Sequence, residues 1–334
     1  MLVLGSDDVT RLLDIESCIA EIEKAFRARG EGRLARSSVA GLELTGGGLH
    51  AKLGVVQLSR AYAAAKINAN FPENPRIRGL PTIQGLVVLF DAASGVPLAC
   101  MDSSTLTAAR TAAASAVAAR YLALPGASSV AIIGCGIQAR AHASALCVVR
   151  PIRRVILFDS NRDAAEKLAH ELWEAHQLEV TVADSLGEAT LASEIVVTLT
   201  TSRSAFLDVG DVNEGTFIAA VGADNEHKQE IAPALLRAGT VIVDDLDQCC
   251  RIGDLHHALD AGVMRRQDVR ASLDQVVAGI VAGRRDDREI VIFDSTGVAI
   301  EDVAAAAIVY ERAEKDGTGL AGAISHGVTG QSSS

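Results

Sequence analysis

A glycine-containing turn between an apolar strand and a helix is the clearest chemical signal in the sequence. Gly134-x-Gly136-x-x-Ala139 follows the apolar residues Val130 to Ile133 and leads into a segment with helical spacing. In dinucleotide-binding folds the first glycine permits a tight turn, the second lets a pyrophosphate approach the backbone, and the small third residue allows close packing. The turn therefore predicts a nucleotide site, although a plain strand-to-helix connection has the same pattern.

An acidic residue at the end of the next predicted strand narrows the choice of nucleotide. Asp159 follows Gly136 at about the expected distance of roughly 20 residues. A carboxylate at this place accepts hydrogen bonds from both ribose hydroxyls and repels a 2′-phosphate. We therefore expect NAD(H) to be preferred over NADP(H), with the nearby Arg162 as the feature that argues for NADP(H).

Two cations lie in otherwise apolar surroundings. Arg110 is the only charged residue between Asp102 and Arg120, so its guanidinium needs an anion, in a structural ion pair or in a clamp on a substrate carboxylate. Lys66 lies in the strand-like segment "AYAAAKINANF", where by itself it is expected to extend its ammonium to the surface. The alternative is a buried lysine with a lowered pKa that binds a carboxylate or transfers protons.

A third charged residue follows an apolar strand. Asp224 comes after "FIAAVG", and "FDSTG" ends another strand at residues 293–297. In open α/β sheets ligands bind at the carboxyl ends of the strands, so Asp224 either acts there or caps a following helix. His256 and His257 have no further ligands at metal spacing, so we interpret them as surface or packing residues and predict no metal site.

Alternating strands and helices beyond residue 124 predict the scaffold of this site. Most of the strand segments are apolar throughout, as expected of strands buried on both faces of a parallel sheet. This pattern indicates a Rossmann-type doubly wound α/β fold. The predicted strands are 130–133, 155–159, 180–182, 195–199, 217–221, 241–245 and 289–294.

The first 123 residues follow a different sequence pattern. Helical spacing over residues 6–30 predicts one amphipathic helix, and residues 36–100 read as short β-like segments. These include a hairpin with Ser94-Gly95 at its turn, and residues 103–123 form a long Ala-rich helix pattern. A last helix is predicted at about residues 300–315.

Composition excludes several functional classes. The length of 334 residues suggests about two domains, and the formal charge of −11 argues against a nucleic-acid-binding surface. No apolar run reaches the roughly 20 residues of a membrane span, and the start of the chain has no signal-peptide pattern. The six cysteines form no C-x-x-C pair, so we expect a reduced, cytoplasmic protein without membrane contact.

Six motifs, in one order, resemble the ornithine cyclodeaminase/mu-crystallin family. They are "KINANFPEN", "GLPTIQGLVVLFDAASGVPLACMD", "LTAARTAAASAVAARYLA", "IIGCGIQARAH", "AVGADNEHKQE" and "FDSTGVAIED". The resemblance implies an NAD-binding Rossmann domain at 124–299 and an α+β substrate-binding and dimerisation domain at 1–123, completed by about 300–325. The sheet of this second domain would join two subunits in a barrel-like homodimer, and we expect residues 326–334 to be a disordered tail.

The resemblance also implies roles for individual residues. Arg110 and Lys66 would hold the carboxylate of a small amino or imino acid, and Asp224 would transfer protons together with Lys66. Thr82 and Arg36 would lie on the substrate side. The implied cofactor contacts are Gly134, Gly136, Ile137, Gln138, Asp159, Thr111, Thr200, Val221 and Ser295.

One departure from the cyclodeaminase pattern bears on the reaction. Cyclodeaminases carry a Glu and Met-Pro shortly before the substrate lysine, whereas this chain has "HAKLGVV" with Lys52, as in the imine-reductase and ectoine-breakdown branches. We therefore expect a reductase or dehydrogenase that moves hydride between nicotinamide and the α carbon of a cyclic imine or iminosuccinate. The alternatives are an ornithine or lysine cyclodeaminase that releases ammonia, and a non-catalytic crystallin-like protein that binds nicotinamide. Sequence does not identify the amino or imino acid.

Overall fold

The computed structural model describes residues 1–322, which form two main sheets and surrounding helices. The strands are β1 (Leu2–Leu4), β2 (Ala35–Leu44), β3 (Gly47–Gln57), β4 (Ala61–Asn70), β5 (Ile83–Asp91), β6 (Pro97–Asp102), β7 (Ser129–Ile133), β8 (Arg154–Phe158), β9 (Glu179–Val182), β10 (Ile195–Thr198), β11 (Arg203–Leu207), β12 (Phe217–Ala220), β13 (Gln229–Ile231), β14 (Thr240–Val243), β15 (Ala271–Ser272), β16 (Val291–Asp294) and β17 (Leu320–Ala321). The helices are α1 (Ser6–Leu12), α2 (Ile15–Gly30), α3 (Asn74–Arg78), α4 (Ser103–Leu122), α5 (Ile137–Val149), α6 (Arg162–His176), α7 (Leu186–Leu191), α8 (Pro233–Ala238), α9 (Leu246–Cys249), α10 (Asp254–Asp260), α11 (Leu273–Val277) and α12 (Ala299–Asp316).

The eight-stranded sheet confirms the predicted doubly wound fold. Its order is β15-β14-β16-β12-β10-β7-β8-β9, and all its neighbouring strands are parallel. The strands β7, β10, β12 and β16 are buried along their whole length, which explains their uniformly apolar sequences. The chain reverses its direction of winding between β7 and β10, and a ligand crevice is expected at such a switch point.

The seven-stranded sheet has the order β17-β1-β6-β5-β4-β3-β2. Strands β2 to β6 form an antiparallel meander in the region predicted to be β-like. The predicted hairpin is confirmed between β5 and β6, and Gly95 has a φ of 73° in its turn, where glycine is favoured. In the β3–β4 register Lys52 lies directly opposite Lys66, which places two ammonium groups side by side.

Two helices bring this sheet and the parallel sheet together. α4 is an Ala-rich helix as predicted, and its small buried side chains allow close packing against α2, α5 and α12. α12, predicted at about 300–315, lies against β3 and β4. Gly54 permits this approach, because a Cβ there would lie 2.8 Å from the Ala299 carbonyl oxygen.

The single helix predicted over residues 6–30 is wrong. The chain forms α1 and α2 instead, and Asp14 stands between them with its carboxylate accepting a hydrogen bond from the Ser17 amide at 2.8 Å. A side chain that caps an N-terminus competes with continuation of the preceding helix. The periodic apolar pattern continues across the break, so periodicity alone did not reveal it.

Five short strands were not predicted. They are β1, β11, β13, β15 and β17, of which β11 and β13 pair in a small parallel sheet. The predicted division into domains stays a prediction, and the tail at 326–334 lies outside the described residues. Within residues 1–322, no helix combines the length and the apolar character needed to cross a membrane.

Candidate active site

Lys66 and Arg110 meet in a buried cluster at the start of α12. The Lys66 ammonium donates to the Asp302 Oδ1 atom at 2.7 Å, and Arg110 Nε lies 3.0 Å from the same oxygen. Arg110 Nη1 donates to the Glu301 carboxylate at 2.6 Å. Only 3% of Lys66 is exposed, so the expectation that its ammonium reaches the surface is wrong. The Lys66 side chain lies instead between α4 and α12, where it contacts Thr107 and Asp302.

Burial and charge together change the basicity of these cations. Burial and the neighbouring Arg110 and Lys52 charges lower the pKa of Lys66 to about 7, although Asp302 raises it. Burial and the Arg110 charge likewise lower the pKa of Lys52. For Arg110, burial is outweighed by Asp302 and Glu301, so its pKa rises and it stays charged.

Lys52 joins this cluster to the parallel sheet. Its ammonium donates to the carbonyl oxygens of Thr296 at 3.1 Å and Gly297 at 2.5 Å, in the loop that follows β16. Gly297 has a φ of 74°, and a Cβ there would lie 2.6 Å from Arg110 Nη1. The loop must therefore carry glycine to lie against both cations.

Asp244 holds this loop from the other side, and sequence reasoning missed it. Its Oδ2 atom accepts hydrogen bonds from the amides of Thr296 and Gly297, both at 2.6 Å. Its Oδ1 atom accepts from the Thr296 hydroxyl at 2.9 Å. The signal that could have found it is the acidic pair that ends the apolar segment "VIVDD".

Asp224 lies in the loop after β12. The structure has no helix directly after it, since the next element is β13, so the interpretation of Asp224 as a helix cap is wrong. About half of its side chain is exposed, and its carboxylate accepts a hydrogen bond from Lys228 at 2.8 Å. Because β12 and β16 are neighbouring parallel strands, the loop that carries Asp224 lies at the same sheet edge as the loop that binds Lys52.

The glycine turn after β7 fits a dinucleotide pyrophosphate. Gly134 has a φ of 96°, and a Cβ at this residue would lie 2.9 Å from the Leu199 carbonyl oxygen. Around Gly136 the space is open, and no side chain caps the first amides of α5 there. Among the described residues, the buried Gln138 Oε1 has no hydrogen-bond partner. Free amides at a helix N-terminus and an open approach are what a phosphate requires.

The predicted ribose ligand is close to this turn. Asp159 Oδ2 accepts a hydrogen bond from the Cys135 amide at 2.7 Å, and Oδ1 accepts from the Asn161 amide at 2.8 Å. Arg162 is directed elsewhere, because its guanidinium binds Glu166 and Asp184. The carboxylate is thus fixed beside the turn while the neighbouring guanidinium is already paired.

The other predicted cofactor residues lie at the same edge of the sheet. Thr200, Val221 and Ser295 follow β10, β12 and β16, and Ile137 begins α5 with an exposed side chain. Thr111 is buried in α4 directly after Arg110. These positions agree with the edge at which parallel sheets bind ligands.

Glu230 is a buried residue of this edge that the sequence did not reveal. Its carboxylate accepts hydrogen bonds from the Thr200 amide at 2.6 Å, the Thr200 hydroxyl at 2.7 Å and the Gly222 amide at 2.8 Å. It also accepts from the Thr198 hydroxyl at 2.6 Å. Glu230 thereby ties the loops after β10 and β12 together.

Other predicted residues stand apart from the cluster. Arg36 is exposed on β2. Thr82 is half-buried just before β5, and its carbonyl oxygen accepts a hydrogen bond from the Phe71 amide. His256 and His257 bond to the carbonyl oxygens of Gly253 and Lys228, which supports the interpretation of both as packing residues.

Comparison with known proteins agrees with this arrangement. The ornithine cyclodeaminase/mu-crystallin family matches residues 1–317. The chain belongs to this family. An alanine dehydrogenase of Archaeoglobus fulgidus is 37% identical over 312 residues, covering 93% of this chain and 95% of the relative.

Solved structures of other family members superpose closely. A Thermococcus litoralis Δ1-pyrroline-2-carboxylate reductase in complex with NADH and L-proline has a TM-score of 0.91 and 32% identity, covering 96% of this chain and all of the other. The iminosuccinate reductase of Paracoccus denitrificans in complex with NAD⁺ has a TM-score of 0.86 and 32% identity, covering 95% and 97%. Members of the family with this fold therefore include enzymes solved with nicotinamide cofactors.

Proposed function

We propose that the protein is an NAD(H)-dependent imine reductase or amino-acid dehydrogenase acting at the α carbon of a small imino or amino acid. The observation that carries this proposal is the position of the cation cluster. Lys52 binds the loop after β16, so the cluster lies at the same sheet edge as the glycine turn after β7. β16 and β7 are three strand spacings apart, or about 14 Å.

Arg110 and Lys66 hold the substrate α-carboxylate in this proposal. A planar guanidinium and an ammonium side by side bind both carboxylate oxygens and fix the orientation of the α carbon. Held in that way, the α carbon would be oriented for the near-attack distance of about 3–3.5 Å that hydride exchange requires. A bound nicotinamide supplies the hydride in reduction and takes it up in oxidation.

Asp224 moves the proton on nitrogen. Reduction of a C=N bond adds a hydride to carbon and a proton to nitrogen, and oxidation of the amine reverses both steps. The loop that carries Asp224 is half-exposed, so its carboxyl group exchanges protons with solvent between turnovers. Lys66 shares this role to the extent that its lowered pKa lets it release a proton near neutrality.

The cofactor we propose is NAD(H) in preference to NADP(H). Asp159 places a negative charge beside the glycine turn, where it would oppose a 2′-phosphate. Arg162, which could otherwise attract that phosphate, is paired with Glu166 and Asp184. Equilibrium binding of NADH and NADPH to the purified protein tests this preference, and tighter binding of NADPH contradicts it.

The charges of the cluster favour a substrate that carries a carboxylate. The cluster holds three cations, Lys52, Lys66 and Arg110, beside the buried carboxylates Glu301 and Asp302, with Asp244 on the loop that Lys52 binds. Arg110 and Lys66 provide for one substrate carboxylate, and the choice between a cyclic imine and iminosuccinate depends on whether Lys52 binds a second one. Comparison of kcat/KM for Δ1-pyrroline-2-carboxylate and iminosuccinate tests this choice.

The competing reaction is cyclodeamination of a diamine. Lys52 disfavours it, because a second substrate ammonium would meet an ammonium of the protein. The decisive experiment follows NADH oxidation with a panel of cyclic and acyclic imino acids, and in parallel supplies ornithine or lysine with trace NAD⁺. Release of ammonia with proline or pipecolate and no net NADH contradicts the proposal.

The same screen separates an enzyme from a non-catalytic binding protein. If NADH binds but no imino acid is reduced, the result favours the alternative of a non-catalytic, crystallin-like binding protein. If Asp224→Asn reduces every imine as fast as the natural protein, the role given to Asp224 is wrong.

We further propose a homodimer built on the seven-stranded sheet, with domains at 1–123 plus about 300–325 and at 124–299. One face of this sheet exposes a row of large apolar side chains, as interfaces do. They are Leu42, Leu44, Leu49, Leu53, Ile67 and Leu86. Sedimentation equilibrium tests the assembly, and Leu53→Glu with Ile67→Glu should yield monomers if this face forms the interface.

A further inference from the structure

Asp302 occupies an unusual position in the cation cluster. It lies in the first turn of α12, and only 1% of it is exposed. Its Oδ1 atom contacts both Lys66 Nζ at 2.7 Å and Arg110 Nε at 3.0 Å. Its Oδ2 atom is buried and has no hydrogen-bond partner among residues 1–322. A single carboxylate oxygen thus bridges the two groups assigned to the substrate carboxylate.

We infer that Asp302 is a positioning residue that fixes the spacing of Lys66 and Arg110 and keeps Lys66 in the charged form that binds the substrate. This inference rests on the proposed function, because it assigns the carboxylate of the substrate to these two cations. Asp302 touches the cations through one oxygen, so its removal changes their distance and their charge together.

The surroundings of Lys66 show why a carboxylate is needed. Lys52 faces it from β3, Arg110 from α4 and Asp302 from α12, and the remaining close polar group is the Thr107 hydroxyl at 3.5 Å. Burial and two neighbouring cations all favour the neutral amine. Asp302 is the group that opposes them, and it holds the pKa of Lys66 at about 7.

Glu301 is the matched control. It is buried beside Asp302 and binds Arg110 Nη1 at 2.6 Å, but it does not contact Lys66. Glu301→Gln therefore removes a neighbouring buried carboxylate while it leaves the Lys66–Asp302 contact in place. A general effect of lost charge would appear in both variants, whereas positioning of Lys66 would appear only in the variants of Asp302.

The direction of the pH effect follows from these contacts. For imine reduction, kcat/KM reports the ionisation of the free enzyme and should fall as pH rises past about 7, where Lys66 loses its proton. Asp302→Asn removes the charge that favours the ammonium, so the fall should move to lower pH by about one unit or more. At pH 7.5 this displacement lowers kcat/KM about tenfold, mainly through KM.

A titration of Lys66 that does not depend on catalysis distinguishes a failure of this inference from a failure of the proposed function. Lysine ε-carbons labelled with ¹³C are followed by NMR from pH 5 to 10, and the Lys66 signal is assigned by its loss in Lys66→Met. We expect a midpoint near 7 in the natural protein, about one unit lower in Asp302→Asn, and a much smaller displacement in Glu301→Gln. An unchanged or higher midpoint in Asp302→Asn overturns the inference, whereas absence of imine reduction by the natural protein overturns only the proposed function.

A second variant covers the case in which Asp302→Asn does not fold. Asp302→Glu keeps the charge on a longer side chain, so the Lys66 midpoint should stay near 7 while the spacing to Arg110 changes. Binding of L-proline to the NADH-loaded protein should then weaken at least about fivefold. If Asp302→Glu binds L-proline as tightly as the natural protein, the spacing is not set by Asp302 and the inference fails.

Discussion

Buried carboxylates on the two sides of the proposed site are held in opposite ways. On the substrate side, Asp302 and Glu301 lie against the ammonium of Lys66 and the guanidinium of Arg110. On the cofactor side, Glu230 accepts its hydrogen bonds from backbone amides and from threonine hydroxyls. On the substrate side the carboxylates hold positively charged side chains in position. On the cofactor side Glu230 fixes the shape of the loops after β10 and β12.

The pKa values of Asp302 and Glu230 follow this difference, whereas burial raises the pKa of Glu301 despite its contact with Arg110. Asp302 and Glu230 are equally buried, but three cations near Asp302 outweigh burial and lower its pKa, while burial raises the pKa of Glu230 despite its hydrogen bonds. Amide donors offset only part of the cost of burying a charge. Neutral substitutions should therefore harm the substrate side and be tolerated better on the cofactor side.

The largest effect is expected on the substrate side, at Arg110. Arg110→Met removes the cation that contacts Glu301 and one of the two that contact Asp302, and it should lower the free energy of unfolding by about 3–5 kcal/mol. Loss of the carboxylate clamp should lower kcat/KM for imine reduction roughly 10²–10³-fold. Urea unfolding and steady-state kinetics measure the two effects.

Arg110→Lys is the control that keeps the positive charge but removes the planar guanidinium group. It should recover much of the stability but little of the activity, since an ammonium cannot bind Glu301 and a substrate carboxylate in two directions. Equal stability of Arg110→Met and the natural protein would show that the ion pairs do not hold this side together.

The same contrast explains what the sequence could reveal. The cofactor side is local: the glycine turn and Asp159 lie within one strand–helix–strand unit, and their spacing predicted their place. The buried state of Lys66 was not predictable from its own segment, because it depends on α4 and α12, which are far away in sequence. Family resemblance supplied the roles of Lys66 and Arg110, but not their partners Asp302 and Glu301.

Acidic residues were the group that sequence reasoning missed most. Asp244 and Glu230 each follow or form part of a short strand, where an acidic residue is ordinarily taken for a turn or cap. Their hydrogen bonds reach residues 296–297 and 198–222, and no local pattern encodes such distant partners. A polar residue after an apolar strand was the available signal, and it was used for Asp159 and Asp224 but not for Asp244.

A smaller effect is expected on the cofactor side, at Asp159. Asp159→Ala removes the acceptor beside the Cys135 amide and should raise KM for NADH about 10–100-fold, while kcat changes little because the reacting end is distant. Binding of NADPH should improve relative to NADH.

Asp184→Asn is the companion variant, because it frees Arg162 from one carboxylate and should favour NADPH without changing the glycine turn. If the ratio of NADH to NADPH affinity is unchanged in Asp159→Ala, Asp159 does not determine which cofactor the protein prefers.

The smallest effect is expected where a cofactor-side carboxylate is replaced by its neutral isostere. Asp254 Oδ1 accepts hydrogen bonds from the amides of Glu230 and Ile231, while its buried Oδ2 has no partner among the described residues. Burial, with Asp294 and Glu230 nearby, raises the pKa of Asp254, and burial raises that of Asp294 to about 7. The folded protein thus keeps a proton that the unfolded chain releases near pH 4, so these groups make the fold less stable as pH rises from about 4 to 7.

Asp254→Asn keeps both amide hydrogen bonds and cannot ionise. Its free energy of unfolding should match that of the natural protein near pH 4.5 and exceed it by about 1–2 kcal/mol at pH 8. Urea unfolding across this range measures the difference. Asp254→Ala, which loses both hydrogen bonds, should be less stable at every pH. Loss of stability in Asp254→Asn at pH 8 would mean that this carboxylate is stabilised by its charge, as Asp302 is, and the contrast between the two sides would not hold.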